Sequence, residues 1–235
     1  MDIAVLIPAH NEANAIAQTV RSALAIPGVT RAVVVDDGSE DETAILAERA
    51  GAKVVRMLGS AGKGGALEAG AKRVANADIV LLLDADLRAT AGQAELLLAP
   101  LLADEADMTV ATFPRPAERA GFGLVMGLAR WGIARFGGPF DATAPLSGQR
   151  ALTRECFATV RPFSAGYGVE VGLTIRALRA GFRLMEVPTT MAHSATGRDV
   201  AGFLHRGRQF VHVGLALIRL SRQATPKRPA EDAWR

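Results

Sequence analysis

The chain reads as an α/β protein, a mostly parallel sheet with helices on both faces followed by a C-terminal helical extension. Short apolar runs of strand length alternate with segments whose apolar residues recur at helical spacing, as in successive right-handed βαβ crossovers. Polar clusters directly follow three of those runs, at residues 8–12, 36–39 and 84–86. Open α/β sheets bind their ligands at such strand ends. Composition agrees: 49% hydrophobic residues with only 5% aromatics, and 24 glycines, suit helices packed closely on a sheet better than an all-β sandwich.

Residues 3–7 are an apolar run stopped by Pro8 and predict a buried first strand. Ile16, Val20 and Leu24 share one helical face within 14–24, and Pro27-Gly28 breaks the chain. Residues 32–35 predict a second strand, running into Asp36-Asp37-Gly38-Ser39. A helix over 40–50 closes at Gly51 and a third short strand covers 53–56. A glycine-rich turn over 59–65 precedes a helix over 66–75. Residues 79–83 form a fourth, strongly apolar strand that stops at Asp84 and Asp86, and a helix over 93–102 and a strand over 108–112 follow.

After Pro116 the rhythm changes. Residues 120–136, rich in Gly, Leu, Phe and Trp and carrying Arg130 and Arg135, predict an interfacial helix too short to span a bilayer. Residues 169–180 predict a helix closed by Gly181, 182–187 a strand, and 200–220 one long helix with an apolar C-terminal half. Prolines and charge from about residue 223 predict disorder. The expected organisation is one domain over 1–199, an amphipathic helix over 200–222 and a tail over 223–235.

The formal net charge of +3 suits an anionic ligand or a membrane surface, and no basic stripe with interleaved aromatics argues for nucleic acid. A single cysteine, Cys156, excludes an internal disulfide and fits a reducing compartment. The start, MDIAVLIPAHNE, lacks the basic segment and cleavage site of a signal peptide. A cytoplasmic protein is expected, able to lie on the inner face of the membrane.

Several strand-end residues carry chemistry. Asp84 and Asp86, at i and i+2 beyond a buried strand, are costly without a positive partner, and a divalent cation such as Mg²⁺ or Mn²⁺ is one that takes hard oxygen ligands. A D-x-D pair also arises by chance. Asp37 can accept hydrogen bonds from a base or ribose, or cap the next helix, and Glu12 can serve a ligand or simply favour a helix first turn. The turn around Lys63 is not a phosphate loop, because Gly64 stands where Ser or Thr is needed. It leaves one cation beside a helix N-terminus, a diphosphate neighbour or a plain surface turn.

In their order and spacing, VLIPAHNEANAI, VVVDDGSEDET, KGGALEAG and LLLDADL resemble the nucleotide-sugar glycosyltransferases of the GT-A fold, family 2 and its relatives. LSGQRALTRE, GYGVEVGLTIRAL and the Ala-His pair at 192–193 are similar to glucosyl-3-phosphoglycerate synthases and polyprenyl-phosphate sugar transferases. The resemblance implies a GT-A fold and a set of roles. Pro8, Ala9 and Glu12 would line the nucleoside pocket, Asp37 would read the base with Ser39 nearby, and Lys63 would approach the donor. Asp84, Ala85 and Asp86 would form the D-x-D element, with Asp86 the direct metal ligand and His193 completing the metal site. Glu170 would act at the donor sugar or the reacting centre, and Gly148 and Arg150 would receive the acceptor.

The expected activity is metal-dependent transfer of a sugar from a UDP- or GDP-sugar to a lipid-phosphate or a small phosphorylated acceptor. Apolar, Arg-bearing helices favour the lipid, and could equally face a homodimer partner. The GYGVE and Ala-His features favour the small acceptor. Two alternatives remain, a sugar-1-phosphate nucleotidyltransferase and a non-catalytic nucleotide-sugar binding or membrane-surface module.

Overall fold

A computed structural model describes residues 1–113, 123–164, 168–192, 211 and 213–223. Its centre is one seven-stranded sheet in the order β3-β2-β1-β4-β6-β5-β7. The strands are β1 (Ile3–Ala9), β2 (Val29–Asp36), β3 (Lys53–Arg56), β4 (Ile79–Leu82), β5 (Met108–Thr112), β6 (Arg150–Thr153) and β7 (Leu184–Pro188). Only β6 runs antiparallel to its neighbours, so the mostly parallel sheet holds.

Both faces are covered, which is why the strands read as continuous apolar runs. Strand side chains alternate between faces. Ile3, Val5, Ile7, Ile79, Leu81 and Leu83 join one core, under α1 (Ile16–Leu24), α2 (Thr43–Arg49) and α4 (Glu95–Leu102). Ala4, Leu6, Val80 and Leu82 join the other, under α3 (Gly62–Val74), α6 (Arg154–Thr159) and α7 (Val169–Arg179). A third cluster joins α7 to α5 (Gly123–Phe136) and to the helical residues 213–222, through Val125, Ile133, Ile175, Val213 and Leu217.

Some expectations need adjusting. The helix predicted over 66–75 starts at Gly62, inside the glycine-rich turn, because the Asp37 carboxylate holds that turn. The helix predicted over 93–102 divides into a 3-10 segment, Arg88–Ala94, and α4. β6 and α6 were not foreseen; β6 is four residues long and includes a fully buried arginine, Arg150. Of the long helix predicted over 200–220, 211 and 213–220 are helical, and the earlier part lies outside the described residues. Gln223, expected to open a disordered tail, is placed, its side-chain oxygen accepting from Arg176 Nη2 at 3.1 Å. No helix among the described residues is long and apolar enough to cross a membrane.

Candidate active site

The site lies at the carboxyl ends of β1, β2 and β4. The loops after β1 and β2 are tied to each other by backbone amides meeting side chains. Asn11 adopts a left-handed conformation, φ 56°, which asparagine tolerates better than most residues. Its N–H donates to Ser39 Oγ at 2.9 Å, while the Glu40 N–H donates to Asn11 Oδ1 at 2.8 Å. The Glu12 N–H reaches Thr43 Oγ1 at 2.7 Å, the Ala13 N–H reaches Asp41 Oδ2 at 3.1 Å, and the Asp37 N–H reaches the Ala9 carbonyl at 2.8 Å. The loops that carry Pro8, Ala9, Glu12, Asp37 and Ser39 are therefore braced against each other.

Asp37 is buried and accepts three hydrogen bonds from the turn that opens α3: Ala61 N–H at 2.7 Å, Gly62 N–H at 2.8 Å and Ser60 Oγ at 2.8 Å. A helix start leaves amides without intrahelical partners, and a carboxylate is their best acceptor. Both Asp37 oxygens thus fix the glycine-rich turn. Gly38, at φ 74°, lets β2 pass that turn, since a Cβ there would lie 3.1 Å from the Gly59 backbone.

Anchoring the start of α3 aims Lys63 at the end of β4. Its Nζ sits 2.6 Å from Asp84 Oδ1 and 2.8 Å from Glu170 Oε1. Burial alone would lower the lysine pKa, but the two carboxylates outweigh it and hold Lys63 protonated, well above the ordinary lysine range. The β4 turn is pinned from behind, where Thr19 Oγ1 of α1 donates to the Ala85 carbonyl at 2.7 Å and accepts the Arg88 N–H at 2.8 Å.

Gly148 lies directly over the Lys63–Asp84 pair. A Cβ there would overlap Lys63 Nζ and approach the Asp84 oxygens to 2.8 and 2.9 Å. Gly148 thus lies at the Lys63–Asp84 pair. Arg150 does not: it has no exposed surface, donating from Nε to the Ser147 carbonyl at 3.0 Å and from Nη1 to Thr174 Oγ1 at 2.9 Å. Burial brings its pKa down to about 10. In this arrangement Arg150 supports the loop that carries Gly148 and presents nothing to an acceptor. Sequence reasoning missed Gln149, whose Nε2 donates to Asp84 Oδ2 at 2.7 Å. The only signal was its place beside Gly148 in LSGQR.

Asp86 is partly buried on the same turn. Burial raises the Glu12 pKa, and Asp86, Asp41 and Asp84 raise it further, so negative charge gathers here. Among the described residues no three His, Cys, Asp or Glu side chains form a metal-sized group. His193, the second expected ligand, lies outside the described residues. The carboxylates of this edge, Glu12, Asp84 and Asp86, are oxygen donors of the kind a hard divalent cation takes.

The Glycosyl transferase family 2 model matches residues 4–128. Glycosyltransferase AglJ of Haloferax volcanii is 34% identical over 205 residues, covering 84% of this chain and 65% of AglJ. Glucosyl-3-phosphoglycerate synthase of Mycolicibacterium smegmatis is 35% identical over 192 residues, covering 74% of this chain and 63% of the synthase. The chain thus spans just under two thirds of each. Among solved structures, the Mycobacterium tuberculosis glucosyl-3-phosphoglycerate synthase in complex with Mn²⁺, UDP-glucose and phosphoglyceric acid superposes with a TM-score of 0.75 at 28% identity, covering 93% of this chain and 79% of that one. The sheet, the braced loops after β1 and β2, and the matched sequence converge: the chain belongs to glycosyl transferase family 2.

Proposed function

We propose that the chain transfers a sugar from a nucleoside-diphosphate sugar, with UDP as the first nucleotide to test, to a phosphorylated acceptor. One observation carries the reading: a lysine held protonated between Asp84 and Glu170 at the carboxyl edge of β4. When the bond from the sugar to the diphosphate breaks, negative charge grows on the leaving phosphate oxygen as the sugar becomes cationic. A fixed ammonium stabilises that charge without reorganising and without proton transfer. Asp86, with His193, would hold Mg²⁺ or Mn²⁺, which neutralises diphosphate charge when bound. Pro8, Ala9, Glu12 and Ser39 form the nucleoside side of the cleft, and Asp37, buried with both oxygens on the α3 turn, braces it from behind. Glu170 holds Lys63 and presents its carboxylate to the sugar. The mycobacterial synthase, whose structures hold Mn²⁺, UDP-glucose and phosphoglyceric acid, makes a small phosphorylated acceptor the first candidate.

The test is a panel of UDP- and GDP-sugars with Mn²⁺ against 3-phosphoglycerate and a polyprenyl phosphate, with products read by mass spectrometry. Transfer by the wild type and its loss in Asp86→Ala are expected. Pyrophosphate release from a nucleoside triphosphate would instead establish a nucleotidyltransferase. Donor binding without hydrolysis or transfer would leave a binding module.

A second reading places the chain at the inner face of a membrane, where a lipid phosphate would be within reach. Of ten large hydrophobic residues exposed among the described residues, five lie on α5 and the C-terminal helix: Leu124, Trp131, Val211, Leu215 and Ile218. Both helices pack on α7 and on each other, through Gly132 against Leu217. Arg130, Arg135, Arg219 and Arg222 are exposed beside them, and neither described stretch contains an acidic residue. An apolar stripe edged by arginines suits an anionic lipid surface. Phosphatidylglycerol vesicles should co-sediment the wild type at low salt and release the Leu215→Glu/Ile218→Glu variant; no co-sedimentation of wild type ends this reading, and a dimer buried through the same face would appear in sedimentation velocity.

A further inference from the structure

The site contains a closed ring of polar contacts. Lys63 pairs with Asp84, and Asp84 accepts from Gln149. Ser147 Oγ meets Gln149 Oε1 at 3.4 Å, and the Ser147 carbonyl accepts from Arg150. Arg150 donates to Thr174 Oγ1, which itself donates to the Glu170 carbonyl at 3.1 Å. Glu170 Oε1 returns to Lys63. The ring joins the start of α3, the end of β4, the approach to β6 and the first turns of α7.

We propose that Gln149 is a positioning residue for sugar transfer, holding the Asp84 carboxylate in the orientation that keeps Lys63 at the reacting diphosphate. This rests on the function proposed above. Register explains how Gln149 arrives. β6 pairs antiparallel with β4, Arg150 opposite Leu82. Continuing that register sets 149 against Leu83 and 148 against Asp84. The glycine therefore faces the ion pair, where no side chain fits, and the glutamine reaches round it. The Gln149 backbone is fixed as well, its carbonyl accepting the Ala111 N–H at 3.0 Å.

The residue type matters. A carboxylate turns easily about its last side-chain bond; Lys63 Nζ lies 2.6 Å from Asp84 Oδ1, and Gln149 Nε2 donates to Oδ2 at 2.7 Å. An ionised carboxylate can only accept, so the Gln149 amide presents its nitrogen to it. Lysine or arginine at 149 would compete with Lys63 for Asp84. Glutamate would add a third carboxylate beside Asp84 and Glu170. A neutral amide orients Asp84 and leaves the charge balance around Lys63 unaltered. Gln149 is fully buried, so it acts through Asp84 and Lys63 and touches neither donor nor acceptor.

Gln149→Met keeps the side-chain length and removes the donor. Its kcat should fall by up to about 10²-fold, the scale of a small misplacement of a reacting group, while KM for the sugar donor stays within about threefold. Its melting temperature should stay close to wild type. Gln149→Glu should lose more activity than Gln149→Met. Asp84→Asn, inactive or nearly so, is the control that the assay reads this site. A Gln149→Met enzyme with wild-type kcat, or one whose only change is a higher KM, overturns the proposal. If the wild type turns over no donor, the functional reading fails by itself. Crystal structures of wild type and Gln149→Met then decide the ring: a rotated Asp84 supports it, and an Asp84–Lys63 pair left in place overturns it.

Discussion

The edge of the sheet formed by β1 and β2 and the edge formed by β4 and β6 reach the same site by opposite means. On the first, short loops bind one another: Asn11 to Ser39 and Glu40, Glu12 to Thr43, Ala13 to Asp41. Most of these contacts pair a backbone amide with a small side chain, and none needs a buried charge pair. On the second, ionised groups meet across long sequence separations, Lys63 with Asp84 and Glu170, and Arg150 lies beneath them in the core. The first edge is a frame of loops held by backbone-to-side-chain hydrogen bonds. The second is a charged assembly whose members hold one another in place, so removing one disturbs the rest.

That difference predicts where substitution hurts most. Lys63→Ala leaves Asp84 and Glu170 without their shared cation, and turnover should fall by about 10² to 10³-fold, as when one preorganised stabilising group is lost. Steady-state kinetics measures it, and a loss under tenfold would make Lys63 a bystander. Gly148→Ala comes next. Its new methyl must displace Lys63 or Asp84, and a loss of about 10- to 10²-fold in turnover is expected with a stability cost of about 1–3 kcal/mol. Unchanged kinetics in that variant would show that the ion pair moves aside freely.

Leu217→Ala probes a region outside both edges. Leu217 is buried against Gly132, where any Cβ would overlap its isobutyl group. Truncation should cost about 2–5 kcal/mol by denaturant unfolding, with kcat retained in the folded fraction. A matching fall in kcat would couple the C-terminal helix to the chemistry, through α7 and Glu170.

Much of this was legible in the sequence, for reasons specific to each segment. β3 and β5 were predicted at their observed bounds, because apolar residues between turn signals mark strands well, at the exposed sheet edge of β3 as in the buried β5. Asp84, Lys63 and Glu170 were each singled out, though nothing in the sequence says that one lysine bridges the two acids. β6 stayed hidden because RALT, unlike KVVR, has no pair of β-branched apolar residues and buries its arginine, a charge that is tolerable only once Ser147 and Thr174 are in place. Gln149 stayed hidden for a related reason. Its partner lies 65 residues away, and only the antiparallel register brings the two together. Local pattern reveals the frame, and the charged assembly depends on tertiary pairing.

The mildest effect expected is at Glu68, where α3 grips the segment leading into α7. Glu68 pairs with Arg161 through Oε1 and accepts the Phe163 N–H on Oε2 at 3.2 Å. Burial by itself would raise the Glu68 pKa, but the Arg161 and Phe163 hydrogen bonds prevail and hold it below the ordinary glutamate range. A carboxylate depressed in the folded state adds stability at pH values above its unfolded pKa, about 4.3, and loses it as the pH falls through the folded value. Its side chain is 37% exposed, so solvent screening limits the contribution to about 1 kcal/mol. Glu68→Gln should therefore be less stable than wild type by up to that amount near neutral pH, and the gap should close as urea unfolding is repeated from about pH 5 down to about pH 3. A gap constant across that range would mean that the pair holds the segment by shape and hydrogen bonding rather than by charge. Kinetics should not change in either case, because Glu68 belongs to neither edge of the site.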